Sequence, residues 1–175
     1  IEIPVLYKFE AGYRYGMHWG NAKYSEMTGD KADVGLLWSY TGTFSDIAKG
    51  KAATEAMLAQ GAGLVYNVAG PLGIGDLEAI TEHLEAKGQS AGPPFMIGVD
   101  ANQDWMGDGH RVLASMMKRV DYGVYYAIES VVNGTFAGGV QILGPNHGGI
   151  AMSGEQDLAD FIDFGIGGGA ISESD

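Results

Sequence analysis

Short apolar runs alternate with longer amphipathic stretches along most of the 175 residues of the chain. The runs that predict buried strands are Asp33–Tyr40, Leu64–Val68, Phe95–Val99 and Val112–Met117. The stretches that predict helices are Phe9–Asn21, Ile47–Gln60, Asp76–Lys87, Val120–Val132 and Glu155–Phe164. Strands that alternate with helices in this order are typical of a doubly wound parallel sheet with helices on both faces. The hydrophobic pattern therefore predicts an α/β fold.

Four shorter segments complete the predicted architecture. Ile1–Leu6 is short and apolar and predicts a strand end or a hinge, whereas Tyr24–Lys31 predicts a polar loop. Val140–Leu143 and Gly149–Met152 predict two further short strands in the last third of the chain. The sequence contains no internal repeat.

Two of the predicted strands end on side chains of opposite charge. Asp100 follows the apolar run Phe95–Val99, and Lys118 follows the run Val112–Met117. Open α/β sheets bind ligands at the carboxyl ends of their strands, so an acid and a base there can face the same crevice. Spacing alone leaves open the alternative of a surface salt bridge between two strand ends.

Two loops after predicted strands hold further candidates for ligand contact. Phe44 lies in the polar loop Thr41–Asp46, where its ring can either stack on a planar base or anchor the loop beneath the sheet. Gly70 lies in the glycine-rich turn Ala69–Gly75, between a predicted strand and a predicted helix. Glycine allows the backbone to approach a ligand closely, and a helix N-terminus favours an anion. The turn lacks the G-x-G-x-x-G order of dinucleotide-binding loops.

The composition excludes several classes of partner. The net charge of -12 argues against a nucleic acid, because no basic face can offset phosphate repulsion. The chain has no cysteine, and therefore neither disulfides nor thiolate chemistry. No apolar run reaches the length of about 18 residues that a transmembrane helix needs. The apolar fraction of 46% is enough for a substantial core.

Patterns of catalytic or metal-binding side chains are absent from the sequence. There is no G-x-S-x-G nucleophile elbow and no phosphate cradle with a general base beside it. The histidines are scattered without the spacing of metal ligands: His18, His83, His110 and His147. Asp104 and Asp108 lie without the spacing of a calcium loop. The sequence therefore predicts a binding protein, without a cofactor or a metal, rather than an enzyme.

Five stretches, in the same order, resemble the basic membrane protein family of ABC-transporter substrate-binding lipoproteins. They are IPVLYKFEAGYRYG (Ile3–Gly16), SYTGTFSDIAKGK (Ser39–Lys51), NVAGPLGIG (Asn67–Gly75), GVDANQ (Gly98–Gln103) and VLASMMKRVDYGVYYAI (Val112–Ile128). The resemblance implies a lobe of the type I periplasmic-binding-protein fold. It also implies an extracytoplasmic protein that delivers a purine nucleoside to an ABC permease and is anchored by a lipid on an N-terminal part absent from this chain.

The resemblance also divides the chain into parts. Residues 1–119 correspond to the second, C-terminal ligand-binding lobe. Residues 120–164 correspond to a crossover helix, hinge strands and a terminal helix that partly belong to the missing first lobe, and residues 165–175 to a flexible tail. Family members have two lobes, so the resemblance implies that the missing lobe is a partner of this one.

The same resemblance assigns roles to the candidate residues. It implies that Asp100 and Lys118 contact the ribose, that Phe44 lies on the base, and that Gly70 lies near it. The chemistry is suitable, since a carboxylate accepts hydrogen bonds from both hydroxyls of a vicinal diol and an ammonium donates to sugar oxygens. A sensory or regulatory module that binds a nucleoside or sugar without transporting it remains the alternative, because fold alone does not separate the two.

Overall fold

The computed structural model describes residues 1–109 and 111–153 of the chain. The helices of this part are α1 (Pro4–Thr28), α2 (Ile47–Leu58), α3 (Gly73–Ala86) and α4 (Val120–Val132). The strands are β1 (Leu64–Tyr66), β2 (Phe95–Asp100), β3 (Val112–Lys118) and β4 (Ile150–Met152). Short 3-10 turns lie at Gly70–Leu72, Met106–Gly109 and Pro145–His147. The helix predicted at Glu155–Phe164, the tail predicted at 165–175 and His110 lie outside the described residues.

The strands form one mixed sheet in the order β1-β2-β3-β4. The first three strands are parallel, with Leu64 opposite Phe95 and Asp100 opposite Met117, whereas β4 runs antiparallel to β3. Parallel neighbours joined by helical or irregular connections confirm the predicted α/β class. The parallel arrangement also places the carboxyl ends of β2 and β3 at the same edge of the sheet.

The hydrophobic core lies between the sheet and the helix pair α2 and α3. Ile80, Leu84 and Met96 are fully buried there. The two helices approach closely because glycines face the contact: a Cβ on Gly75 would overlap the carbonyl oxygen of Ile47. Burial of each large apolar side chain contributes about 1.5–3 kcal/mol, so this cluster fixes the position of the parallel strands.

The first helix is much longer than the sequence predicted. The predictions of a strand end at Ile1–Leu6 and of a loop beginning at Tyr24 were wrong, because α1 extends from Pro4 to Thr28. Proline at the first helical position costs no hydrogen bond. The helix ends at Gly29, whose φ of 78° is the left-handed conformation that glycine adopts readily.

Two predicted strands do not form. Residues 31–41 form neither helix nor strand, although the run Asp33–Tyr40 was predicted to be a buried strand. The side chain of Tyr40 holds this segment against α1 instead: its hydroxyl donates to Glu10 Oε2 at 2.9 Å, and its ring lies edge-on to that of Tyr7. Residues Val140–Leu143 are also not a strand, and Val140 is 91% exposed. An apolar run becomes a strand only where a neighbouring strand is available for pairing.

The remaining elements predicted within the described residues are confirmed, with small shifts at their ends. α2 begins at Ile47 as expected, capped by the side chain of Asp46, which accepts from the backbone N–H of Lys49 at 3.3 Å. α3 begins at Gly73, within the predicted glycine-rich turn, and α4 has the predicted bounds. The prediction at Gly149–Met152 is confirmed as β4.

Candidate functional site

Asp100 and Lys118 form an ion pair at the carboxyl edge of the sheet. Each is the last residue of its strand, and the register places Asp100 opposite Met117, next to Lys118. The Nζ atom of Lys118 donates to Oδ1 of Asp100 at 2.7 Å. The side chain of Lys118 remains 55% exposed, and that of Asp100 remains 48% exposed. An ion pair this exposed contributes little to stability, so the fold itself does not require it.

The backbone at Asp100 adopts an uncommon conformation. Its φ of 70° is positive, which is rare for a residue with a side chain. The N–H of Ala101 donates to the carbonyl oxygen of Val99 at 2.9 Å and closes a three-residue turn around Asp100. Such a conformation costs about 1–3 kcal/mol and persists only where the surrounding structure holds it.

A buried hydrogen-bond network lies directly behind this turn. The hydroxyl of Ser115, in the middle of β3, donates to Oδ1 of Asp104 at 2.6 Å and accepts from the backbone N–H of Gln103 at 2.9 Å. The Oε1 atom of Gln103 accepts from the N–H of Val99 at 2.9 Å. No role is predicted for these residues from the sequence. The feature of the sequence that could have indicated this network is a serine within an otherwise apolar predicted strand.

Gly70 lies in a second turn, which is fixed by a buried asparagine. Its φ is 55°, and within the described part of the chain no atom lies within 4 Å of a Cβ placed there. The Nδ2 atom of Asn67 donates to the carbonyl oxygen of Gly70 at 2.8 Å, while Oδ1 of Asn67 accepts from the N–H of Ala69 at 3.0 Å. Asn67 is only 3% exposed. The side chain of Asn67 therefore holds the turn from the protein interior, and the space that a side chain at Gly70 would occupy is open.

Phe44 lies in the loop that precedes α2. The Oγ1 atom of Thr43 accepts from the backbone N–H groups of Ser45 and Asp46, which orders this loop. The Phe44 side chain is 36% exposed. Among the described residues, no hydrogen bond, ion pair or ring contact joins Phe44 or Gly70 to the Asp100–Lys118 pair. The structure thus brings two of the four predicted residues together and places the other two on separate loops.

Tyr66 adds a third strand end to this edge. It is the last residue of β1, and its ring stacks on that of Tyr13 with a centroid distance of 5.2 Å and an interplanar angle of 22°. Burial, together with the negative charge of Asp100, raises the pKa of Tyr66 to about 12. The phenol is therefore neutral at physiological pH and keeps its hydrogen-bond donor. Neither tyrosine is predicted from the sequence to be part of the site.

Two concave regions differ in character: one is lined by the ion pair Asp100–Lys118 and the other by the stacked tyrosines Tyr13 and Tyr66. An open depression of about 450 Å³ is lined by Asp100, Lys118 and their chain neighbours. In it, Arg119 pairs with Asp121 at 2.7 Å and lowers the pKa of that carboxyl to about 2, so both groups stay charged. A larger cavity of about 530 Å³, lined mainly by apolar side chains, contains none of the four predicted residues. Only the depression combines polar groups of both signs.

Metal binding and membrane spanning find no support in the part of the chain that is described. Over residues 1–109 and 111–153, no three acidic, histidine or cysteine side chains come together as a metal site would require. None of the helices in the same residues has both the length and the apolar character needed to cross a bilayer.

Comparison with known proteins gives a match over most of the chain. Residues 1–163 match the family model described as ABC transporter substrate-binding protein, PnrA-like. A lipoprotein of Pyrococcus furiosus, itself uncharacterised, is 37% identical over 99% of this chain and 41% of its own length. The ABC transporter nucleoside-binding protein of Lactococcus lactis is 32% identical over 79% of this chain and 39% of its own length.

A solved structure extends the similarity to the fold. The solute-binding protein of an ABC transporter system from Aeropyrum pernix is 38% identical, with a TM-score of 0.73 over 99% of this chain and 44% of that protein. The chain spans about two fifths of the length of the relatives from Pyrococcus that it matches.

Proposed function

Because the chain belongs to the family of PnrA-like ABC transporter substrate-binding proteins, we propose that it forms a ligand-binding lobe for a purine nucleoside or a related ribose-containing ligand. Membership confirms the resemblance carried by the five sequence stretches. Proteins of this family bind a transported substrate and are not enzymes, in agreement with the sequence prediction. The ligand of the whole protein and its delivery to an ABC permease are part of the proposal.

The observation that carries the proposal is the exposed ion pair of Asp100 and Lys118 on the edge where α/β sheets bind ligands. The carboxylate has two oxygens, and only Oδ1 is engaged by Lys118 at 2.7 Å. It can accept from both hydroxyls of a vicinal diol, while the ammonium has further donors for a ring or hydroxyl oxygen. In the absence of the sugar, each group neutralises the charge of the other, so the site contains no isolated charge from this pair.

Phe44 and Gly70 complete the proposed contacts. The partly exposed ring of Phe44 stacks on the base, and the open space above Gly70 lets the ligand approach the backbone. Base stacking on an aromatic side chain is worth about 1–3 kcal/mol and tolerates different bases. The sugar contacts therefore select a nucleoside over a free base, whereas the stacking contact alone does not choose between purines.

The similar proteins support the location and the ligand class. The Lactococcus relative is named as a nucleoside-binding protein, and the Pyrococcus relatives are named as lipoproteins. We propose on this basis that the protein acts outside the cytoplasm, at the membrane surface, beside a permease. The two lobes of such a protein close on the ligand by a hinge motion.

Native mass spectrometry of the full-length protein, followed by calorimetry, tests the ligand class. We expect a co-purified mass in the range of a nucleoside, and binding of inosine, guanosine or adenosine in preference to the matching free base. Binding of adenine as tightly as adenosine would show that Asp100 and Lys118 do not read the sugar. If the protein binds free ribose but none of the nucleosides, the ligand class is a pentose.

A further inference from the structure

A serine lies where β3 would otherwise be filled by apolar side chains. Ser115 is fully buried and Asp104 is 6% exposed, so a hydroxyl and a carboxyl group have been removed from water at this position. Burial of polar groups is unfavourable unless they are hydrogen-bonded, and here the hydroxyl both donates and accepts. An apolar residue at this position would leave the carboxyl group of Asp104 and the backbone N–H of Gln103 without this partner. The hydroxyl therefore ties β3 to the loop that follows β2.

The network connects the middle of β3 to the turn at the end of β2. Ser115 holds the backbone of Gln103, and the side chain of Gln103 reaches back to the N–H of Val99, the residue before Asp100. A Cβ on Gly98 would lie 2.6 Å from Oγ of Ser115 and 2.7 Å from Oε1 of Gln103. The strand thus leaves room for these two polar atoms only because a glycine stands at position 98.

We propose that Ser115, with Asp104 and Gln103, is the positioning group that holds the Asp100 carboxylate in its left-handed turn, where it can receive the ligand. The inference rests on the proposed function, because it assigns these residues to the same binding edge. Ser115 touches the returning loop and not the depression itself, so it acts through Asp100. Its hydroxyl holds Gln103 in place, and the Gln103 side chain in turn binds the N–H of Val99, next to the uncommon backbone conformation at Asp100.

Amide hydrogen exchange in the full-length protein tests the positioning role without any ligand. Ser115→Ala removes both hydrogen bonds of the hydroxyl. In this variant we expect exchange at Ala101 and Gln103 to accelerate by about tenfold or more, with no change in α2 and α3. Acceleration spread evenly over all elements, or none at the turn, would overturn the proposal.

A matched control removes an equivalent buried hydroxyl on the other side of β3. The Oγ atom of Ser153 accepts from the N–H of Ser115 at 2.7 Å, and Ser153 is 2% exposed. Ser153→Ala therefore loses a buried hydrogen bond of the same kind without touching the turn at Asp100. We expect it to leave exchange at Ala101 unchanged. An equal effect of both variants on exchange at Ala101 would show that Ser115 has a structural role only.

Inosine affinity, measured by calorimetry, gives the second readout. We expect Ser115→Ala to weaken binding by about tenfold, and by less than about twofold when Asp100→Asn is already present, because the effect passes through Asp100. Asp104→Asn keeps an acceptor for Ser115 and should bind nearly as the natural protein, whereas Asp104→Ala should resemble Ser115→Ala. Full additivity of the Ser115 and Asp100 changes would overturn the proposal. If the natural protein binds none of inosine, guanosine and adenosine, the proposed ligand class is wrong, and hydrogen exchange alone decides the positioning role.

Discussion

The carboxyl group of Asp76 is buried between α2 and α3, where its Oδ1 atom accepts a hydrogen bond from the hydroxyl of Thr54 at 2.8 Å. Asp76 is 6% exposed and Thr54 is 2% exposed. Burial raises the pKa of Asp76 to about 6 from the ordinary 3.8, while the bond from Thr54 acts in the opposite direction. The contact between the two helices therefore contains a group that titrates in a mildly acidic range.

This titration predicts that Asp76 lowers stability as the pH rises. Below pH 3.8 the carboxyl is protonated in the folded and unfolded chain alike, and its charge costs nothing. Between pH 3.8 and about 6 the unfolded chain loses the proton first, so the free energy of unfolding falls. Above pH 6 the full cost is present, about 3 kcal/mol at 1.4 kcal/mol per pKa unit. The measurement is denaturant-induced unfolding at pH 4 and at pH 7.

Asp76→Asn keeps the shape and an acceptor for Thr54 but carries no charge. We expect it to raise the free energy of unfolding at pH 7 by about 1–3 kcal/mol and to have little effect at pH 4. Asp33→Asn is the control, because the Asp33 side chain is 81% exposed and its ion pair with Lys31 lies at the surface. Equal effects of Asp76→Asn at both pH values would contradict the prediction.

Replacement of Phe44 tests base stacking. We expect Phe44→Ala to lose about 1–3 kcal/mol of nucleoside affinity, because the ring face is removed, with a change in melting temperature of no more than a few degrees. Phe44→Leu, which keeps apolar volume without a ring, is the matched control and should lose nearly as much affinity. A collapse of the melting temperature in Phe44→Ala, with recovery in Phe44→Leu, would identify Phe44 as an anchor of its loop.

Replacement of Asp100 tests recognition of the sugar. Asp100→Asn keeps the shape but replaces a charged acceptor, so we expect nucleoside affinity to fall by about 1.5–3 kcal/mol. A 2′-deoxynucleoside should bind less tightly to the natural protein and lose less on mutation, since one of its two hydroxyls is absent. Calorimetry with the matched ribo and deoxyribo ligands measures both effects. Equal losses for the two ligands would mean that Asp100 does not read the diol.

The control for Asp100 is another exposed lysine–aspartate pair. Lys31 and Asp33 lie 3.1 Å apart and are more than four-fifths exposed, away from the sheet edge. Asp33→Asn should change neither nucleoside affinity nor stability by more than about 0.5 kcal/mol, because exposed pairs contribute little. A loss of affinity in this variant equal to that in Asp100→Asn would point to a general effect of net charge.

The part of the fold that could be predicted from the sequence is the part whose signal is local. β2 and β3 were predicted to within one residue because each is a continuous apolar run that ends on a charged side chain. α4 was predicted with its observed bounds because its apolar residues recur at helical spacing up to Asn133 and Gly134. The acid–base pair at the sheet edge followed from the same reasoning, since the ends of neighbouring parallel strands must meet.

The parts that could not be predicted depend on distant partners. Asp33–Tyr40 has the composition of a strand, but Tyr40 binds Glu10 and the segment makes no strand pairing. The hydrogen bond between Ser115 and Asp104 joins the middle of β3 to the turn that follows β2, and the pairing of β2 with β3 brings the two together. No local sequence pattern indicates how β2 and β3 are aligned. The network behind Asp100 could therefore be identified only in the structure.

The apolar face of α4 is exposed. None of its residues is buried, and Val124, Ile128 and Val131 are each between 56% and 60% exposed. An apolar stripe of this size seldom remains uncovered on a soluble protein. The chain spans about two fifths of the relatives' length, and α4 begins the region predicted to belong partly with the first lobe. We therefore predict that the rest of the protein covers this face.

Sedimentation of the 175-residue chain alone, beside the full-length protein, tests this prediction. Without the covering lobe, the exposed stripe should drive the chain to associate with a second copy, because burial of apolar surface is favourable at about 25 cal/mol per Å². Val124→Lys combined with Ile128→Lys should restore a monomer, whereas Gln89→Lys combined with Ser90→Lys, at two exposed uncharged residues after α3, should not. In the full-length protein, both lysines on α4 should lower the melting temperature, since they would lie in a buried contact. A chain that stays monomeric at all concentrations, together with a full-length protein indifferent to the α4 lysines, would show that α4 contacts no first lobe and that the assignment of residues 120–164 is wrong.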